Sequence, residues 1–289
     1  MTRLRSDREG AARGAAPLVV LADAELALRD GLDRLFAGWG AAVGARATAY
    51  QTLLPVDALR TIDYWDNFPH LALLAAPARE TGYDRLAAAA ADGAFPPEVL
   101  DAAGYALPSA ACYAAYLHLA GQVVPDDHKI TTVATCFRRE THFEGLRRLL
   151  SFTMREIVCV GGRDAALEHL ESSTRRLLDF SARLGLPLEV EVASDPFFDP
   201  NASRSVVAKL FPVKQEFVYR APGHDAGLAI ASVNFHRNFF GERCGITTGT
   251  GEAAYTSCVA FGLERWIAAL TSEFGSDHAE LGERLRAAA

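Results

Sequence analysis

The sequence predicts an α+β fold, and three observations carry that prediction. Two β-branched segments, 129–137 and 149–160, flank a polar, Arg-rich stretch. They read as an antiparallel strand pair joined by a long charged loop. Residues 164–184 repeat apolar side chains on a helical period. Strand-like runs then follow at 187–193, 215–221 and 227–235, and a last small-residue strand runs through Gly262 into a helix.

Each element has a local reason. Residues 1–14 are basic but include Asp7 and Glu9, and read as a mobile leader. The apolar run Ala15–Ala22 is short and passes straight into a helical pattern, which argues against a signal peptide. From Asp23 to Phe36, the positions Leu26, Leu28, Leu32, Leu35 and Phe36 fit one helix face, and Gly38 and Gly40 are expected to stop it. Residues 42–54 read as a strand ending at Pro55, and 61–76 as a turn region with Tyr64, Trp65, Phe68 and Pro69. An Ala-rich helix is expected over 84–93, and a short amphipathic segment over 109–121, ended by Gly121. In 164–184 Asp164 is the expected cap. Leu167, Leu170, Leu177, Leu178 and Leu184 line one face, and Gly185 and Pro187 end the helix. No linker interrupts 15–289, which is expected to form a single domain.

Composition narrows the classes. The 289 residues are 50% hydrophobic and 22% charged, enough for a sizeable core and too apolar for wholesale disorder. Lys plus Arg is 29 against 36 for Asp plus Glu, a net charge of −7. That balance argues against binding long nucleic acid chiefly through phosphates. No apolar run reaches the roughly 18–20 residues of a membrane helix. The five cysteines, Cys112, Cys136, Cys159, Cys244 and Cys258, are odd in number and contain no CxxC, as expected for reduced thiols in a cytoplasm.

The segment 129–161 holds Arg138, Arg139, Arg147, Arg148 and Arg155. A solvated basic face is the common fate of such a run, whereas guanidinium groups also match phosphate oxygens in bidentate fashion. The pattern favours phosphate. Phe137-Arg138-Arg139-Glu140 is an F-R-x-E, followed by Arg148-x-x-x-Phe152-x-x-x-Glu156, and far downstream AFGLER occupies 260–265. In order and separation these segments resemble motifs 2 and 3 of the class II aminoacyl-tRNA synthetases. The helix, strand and proline at 23–55 are similar to their motif 1, which forms the dimer interface in that family. The resemblance extends from about residue 20 to 272.

It implies a class II synthetase-like catalytic domain, a mostly antiparallel sheet flanked by helices. Carried over by position, Arg138 holds the α-phosphate of ATP and stabilises the charge on departing pyrophosphate. Arg148 meets the γ-phosphate, Phe152 stacks on one face of adenine, and Arg265 stacks on the other while touching phosphate. Glu140 contacts the adenine or the substrate amine. Arg138 and Arg265 are the catalytic candidates, and ATP arrives with Mg2+.

Cys112, Glu156 and Cys258 form a second set. Singly, each cysteine reads as a small buried hydrophobe. Together they resemble the Cys–Glu–Cys zinc triad of the methanogen-type seryl-tRNA synthetases and of their shorter relatives, the amino acid:[carrier protein] ligases. In those enzymes one Zn2+ keeps an open position for the α-amino group of the amino acid. Ser232, Asn234 and His236, with Lys214 and Glu216 on a neighbouring strand, are the corresponding amino-acid pocket candidates. The chain departs from ordinary seryl-tRNA synthetases where they carry a magnesium-binding Glu: Leu228 or another neutral residue stands there, which leaves the Mg2+ ligands unassigned.

With no tRNA-binding module before residue 23 and a short tail over 272–289, the chain resembles the carrier-protein ligases. The resemblance implies a homodimeric, cytoplasmic ligase. It would activate a small amino acid, glycine or alanine, as its adenylate and pass it to the phosphopantetheine thiol of a carrier protein, without tRNA or membrane partners. Helix 164–184, with Arg175, Arg176 and Arg183, is the candidate docking element for an acidic carrier protein, its alternative being a solvated amphipathic helix. Two other readings compete with the ligase: a truncated synthetase-like enzyme acting on another acceptor, and a non-catalytic nucleotide-binding paralogue. The joint presence of Arg138, Arg148, Phe152, Glu156 and Arg265 disfavours the paralogue.

Overall fold

The computed structural model describes residues 18–193, 214–221 and 227–289. The leader expected over 1–14 lies outside them.

Helix α1 (Asp23–Ala42) leads through β1 (Arg46–Ala47), β2 (Leu54–Pro55), α2 (Val56–Thr61), α3 (Tyr64–Asn67), β3 (Leu73–Ala75), α4 (Tyr83–Ala91) and β4 (Tyr105–Leu107) to α5 (Cys112–His118). Then come β5 (Val123–Val124), β6 (Asp127–Phe137), β7 (Ser151–Gly161), α6 (Arg163–Leu184), β8 (Glu189–Val192), β9 (Lys214–Tyr219) and β10 (Leu228–Arg237). The chain closes with α7 (Phe239–Cys244), β11 (Thr247–Thr248), β12 (Tyr255–Gly262), α8 (Leu263–Phe274) and α9 (His278–Ala288). The main sheet has seven strands in the order β1-β6-β7-β12-β10-β9-β8. All its pairs are antiparallel except β1 with β6, as the α+β expectation requires.

One face of this sheet is buried under helices. Leu28, Leu32, Phe36 and Trp39 of α1, Leu177, Phe180 and Leu184 of α6, and Trp266, Ile267 and Leu270 of α8 pack on Ile157, Val259, Phe261, Val233 and Phe217. Phe36 lies flat on Phe261, ring centroids 3.9 Å apart. Burying a side chain of this size stabilises the fold by roughly 1.5–3 kcal/mol. The opposite face carries a second cluster with α5, α7 and the small sheet β2-β4-β3, and is left partly open beside β7, β12 and β10.

Four local expectations are corrected. Helix α1 does not stop at Gly38 or Gly40 but continues to Ala42. Gly40 serves close packing there, since a Cβ at that position would sit 2.9 Å from Thr131 Cβ. The strand expected over 42–54 shrinks to β1 and β2, because the helix takes its first residue and 48–53 join no strand ladder. Asp164 does not cap α6; the N-cap is Gly162, and Asp164 lies in the first turn, where its charge suits the helix dipole. The α6 arginines are not all free for a partner. Arg176 stacks 5.0 Å from the Trp39 ring, and Arg183 donates to the Ala288 carbonyl at 2.9 Å, leaving Arg175 on the surface with Glu168. Among the described residues no helix is long and apolar enough to cross a membrane, and all five cysteines are buried free thiols.

Candidate active site

The open face of the sheet assembles the site by register. Directly opposite residues of antiparallel strands point to the same side. Glu156 on β7 is therefore aligned with Ala260 on β12, Ser232 on β10 and Glu216 on β9. The next row is Val158, Cys258, Asn234 and Lys214. Phe152 faces the same way, four residues before Glu156 and hence about 13 Å away along an extended strand.

At the Phe152 end, Arg138, Glu140, Leu146, Arg147, Leu149, Phe152, Gly262, Glu264 and Arg265 line a cleft. The Arg138 guanidinium lies 5.3 Å from the Phe152 ring centroid, and its Nε donates to the Ser109 carbonyl at 3.3 Å. Arg148 reaches in through an ion pair to Glu140 at 2.6 Å. Arg265 is pinned by donating to the carbonyls of Arg147 and Ala229, both at 3.0 Å. Burial, and then the facing charges of Arg138 and Arg148, press its pKa below the usual guanidinium value. Such a concentration of positive charge in a half-buried cleft is stabilised by an anion with several oxygens. Glu264 does not enter this balance as a free acceptor, since its carboxylate takes the Thr153 N–H at 2.8 Å and locks α8 to β7.

Towards the other end, the ligand atoms of Cys112, Glu156 and Cys258 lie within 4.8 Å of one another, although the residues belong to α5, β7 and β12. All three are buried. Glu156 Oε1 accepts from the backbone N–H groups of Ala111 at 2.8 Å and Cys112 at 3.2 Å, whereas Oε2 is buried without a hydrogen-bond partner among the described residues. The mutual proximity and burial of the three groups make each resist ionisation. Cys112 is pushed well up by its hydrogen bond with Cys258, by burial and by the carboxylate. Burial raises Glu156 against the pull of its donors. In Cys258 the bond with Cys112 favours the thiolate, but burial and Glu156 outweigh it. An orphaned carboxylate oxygen between two thiols fits a thiophilic divalent ion, and a soft Cys₂Glu set with three protein donors suits zinc with one position open.

Of the pocket candidates, Asn234 donates to Cys258 Sγ at 3.3 Å and to Ser232 Oγ at 3.4 Å. Lys214 and Glu216 form an ion pair at 2.8 Å, and Glu216 also acts on Arg265. His236 is drawn into a buried network in which its Nδ1 lies 3.2 Å from Thr256 Oγ1 and 3.4 Å from the Tyr116 hydroxyl; burial lowers its pKa to about 4. One sequence reading needs amendment. Arg155 leaves the phosphate group of arginines: it points to the helical face and is 7% exposed. The Arg138 guanidinium covers the Phe152 ring. Residues missed in the sequence include Tyr116, fully buried beside the triad, and Ser109, which holds Arg138 through its carbonyl. Neither belongs to a spaced pattern, so neither carries a signal.

The chain is similar to known proteins in both sequence and fold. Residues 105–274 match the tRNA synthetase class II core domain (G, H, P, S and T). The chain is 36% identical over 183 residues to amino acid--[acyl-carrier-protein] ligase 2 of Bradyrhizobium diazoefficiens, covering 62% of this chain and 54% of that one. It is 25% identical over 181 residues to the type-2 serine--tRNA ligase of Methanocaldococcus jannaschii, covering 60% of this chain and 35% of that one. The chain thus spans about half the length of the ligase and about a third of the serine--tRNA ligase. In structure it resembles the M. kandleri SerRS solved with A. aeolicus tRNASec, with a TM-score of 0.73 at 19% identity over 89% of this chain and 55% of that one. The Naegleria fowleri cytoplasmic serine-tRNA ligase in complex with AMP gives 0.68 at 11% identity over 93% and 54%. With motif 2 on β6 and β7, motif 3 at the β12–α8 junction, and the family match spanning both, the chain belongs to the class II tRNA synthetase core-domain family.

Proposed function

We propose that the protein is an amino acid:[carrier protein] ligase. It activates a small amino acid, glycine or alanine, as the aminoacyl-adenylate and transfers the acyl group to the phosphopantetheine thiol of a carrier protein. The observation that carries this reading is the Cys112–Glu156–Cys258 cluster on the same sheet face as the arginine-lined cleft. The 36% identity to the B. diazoefficiens ligase supports the acceptor.

In this reading Cys112, Glu156 and Cys258 hold Zn2+, which when bound supplies an open coordination position for the substrate amine. The chain's own residues do the rest. Arg138, Arg148 and Arg265 bind the triphosphate of ATP brought in with Mg2+. The amino-acid carboxylate attacks the α-phosphorus, the bond to the bridging oxygen breaks, and pyrophosphate leaves. Arg138 and Arg265 are aimed at the charge that grows on the phosphoryl oxygens, and their carbonyl tethers mean that little reorganisation is needed. Phe152, under Arg138, offers the ring surface for adenine, with Glu140 at the cleft edge. Ser232, Asn234, His236, Lys214 and Glu216 line the amino-acid side. The carrier thiolate then attacks the acyl carbon and AMP departs.

The test is amino-acid-dependent pyrophosphate exchange across the twenty amino acids, followed by loading of a holo carrier protein read as a mass increase. Exchange with glycine or alanine and loading of the carrier protein are expected. Charging of total tRNA with no loading of any carrier protein would replace this reading with that of a synthetase acting in trans.

A further inference from the structure

Two thiolates and a carboxylate carry three negative charges, and a divalent ion returns two. The occupied Cys112–Glu156–Cys258 cluster would therefore keep about one net negative charge, while its residues are only 4%, 1% and 2% exposed. A buried charge must be met by hydrogen-bond donors. Glu156 has two, the backbone N–H groups of Ala111 and Cys112. On the sulfur side, Asn234 Nδ2 lies 3.3 Å from Cys258 Sγ. The sheet itself sets that contact, because Asn234 and Cys258 are a directly opposed pair on β10 and β12. The second Nδ2 contact goes to Ser232 Oγ at 3.4 Å. Reversing the amide would set its carbonyl oxygen against a thiolate, so the donor orientation is the one consistent with an ionised Cys258.

We propose that Asn234 is a positioning residue for the Cys258 thiolate and thereby sets how tightly the cluster holds its metal. The amide N–H takes up part of the sulfur's charge and fixes the direction of its remaining lone pairs. Groups in this position around metal ligands are commonly worth about 10–100-fold in affinity. Asn234 thus acts one bond behind the metal, beyond its place along the amino-acid side of the cleft. The proposal depends on the metal reading of the cluster, so its test reads metal affinity and the sulfur's electronic state, not turnover.

The experiment titrates the full chain with Zn2+ against a competing chelator and with Co2+ by absorption, for wild type, Asn234→Leu, the smaller Asn234→Ala, and Asn234→Gln. Leu and Ala are expected to weaken Zn2+ binding about 10–100-fold. They should also move the thiolate-to-cobalt charge-transfer band to longer wavelength, because a sulfur relieved of its donor gives up an electron more easily. Gln, which keeps an amide, should recover part of both. Wild-type affinity together with an unshifted band in both Leu and Ala would overturn the proposal while leaving the metal site standing. Wild-type protein that takes up neither ion would overturn the metal reading and the proposal with it.

Discussion

Arg155 and Asp33 form a two-pronged ion pair between β7 and α1, Nε to Oδ1 at 2.8 Å and Nη2 to Oδ2 at 2.9 Å. The strand that presents Phe152 and Glu156 to the cleft is thereby bolted from behind to the helix that covers the opposite face. Asp33→Ala leaves the Arg155 guanidinium with Thr131 Oγ1, at 3.3 Å, as its hydrogen-bond partner among the described residues. Removing one partner of a fully buried pair costs about 3–5 kcal/mol, and the partial exposure of Asp33 puts this pair at about 2–3 kcal/mol. Denaturant unfolding of Asp33→Ala should show that loss; an unchanged midpoint would deny the pair its role.

The cleft arginines predict a catalytic loss without a stability loss. Arg138→Ala should lower amino-acid-dependent pyrophosphate exchange by about 10²–10³-fold, the usual effect of deleting one donor aimed at developing charge. Its thermal midpoint should stay near that of wild type, since Arg138 is half-buried and its tether is a long bond to the Ser109 carbonyl. Full retained exchange would remove it from the reaction.

For the cluster, metal analysis of wild-type protein should return about one zinc per chain. Cys112→Ala and Cys258→Ala should return essentially none, because two donors do not hold the ion in competition with buffer. Retention of a full equivalent in either variant would place the metal elsewhere.

His169 gives a pH prediction unrelated to catalysis. It is buried between α6 and the sheet, its Nδ1 3.0 Å from Ser257 Oγ and its Nε2 without a hydrogen-bond partner among the described residues. Burial, and then Lys129, lower its pKa from 6.5 to about 4. Between those values the unfolded chain binds the proton and the folded chain does not, so stability falls as pH drops from about 6.5 to about 4 and is full above that window. His169→Asn should flatten that part of the stability–pH curve measured by urea unfolding. A slope identical to wild type would contradict the assignment.

Two glycines of α1 should respond oppositely to alanine. A methyl group at Gly38 would meet nothing within 4 Å, so Gly38→Ala should raise stability by up to about 1 kcal/mol through helix propensity. At Gly40 a Cβ would sit 2.9 Å from Thr131 Cβ, and overpacking should cost about 1–3 kcal/mol. Thermal unfolding of the two variants side by side reads the difference.

These residues also show what the sequence can tell. The motif 2 strands and the β12–α8 junction are legible because β-branched runs, arginine spacing and G-L-E-R are local patterns. The Cys–Glu–Cys set is legible only through its likeness to a known triad, since nothing in the spacing of Cys112, Glu156 and Cys258 brings them together. The end of α1 is hidden because glycine reads as a stop signal, while packing on Thr131 is what decides it. Arg155 sits among the other arginines in sequence, yet strand alternation, which sends it to the far face from Glu156, outranks that proximity. Tyr116 and Ser109 have no pattern to betray them.

The three donors of the cluster close chain segments of 44 and 102 residues, from Cys112 to Glu156 and from Glu156 to Cys258. During synthesis, Cys112 and Glu156 leave the ribosome long before β12 exists to bring the last sulfur alongside them. The growing chain must therefore hold a half-made pocket, one thiol and one carboxylate, until β12 emerges, and a chain cut short before Cys258 never acquires the third donor.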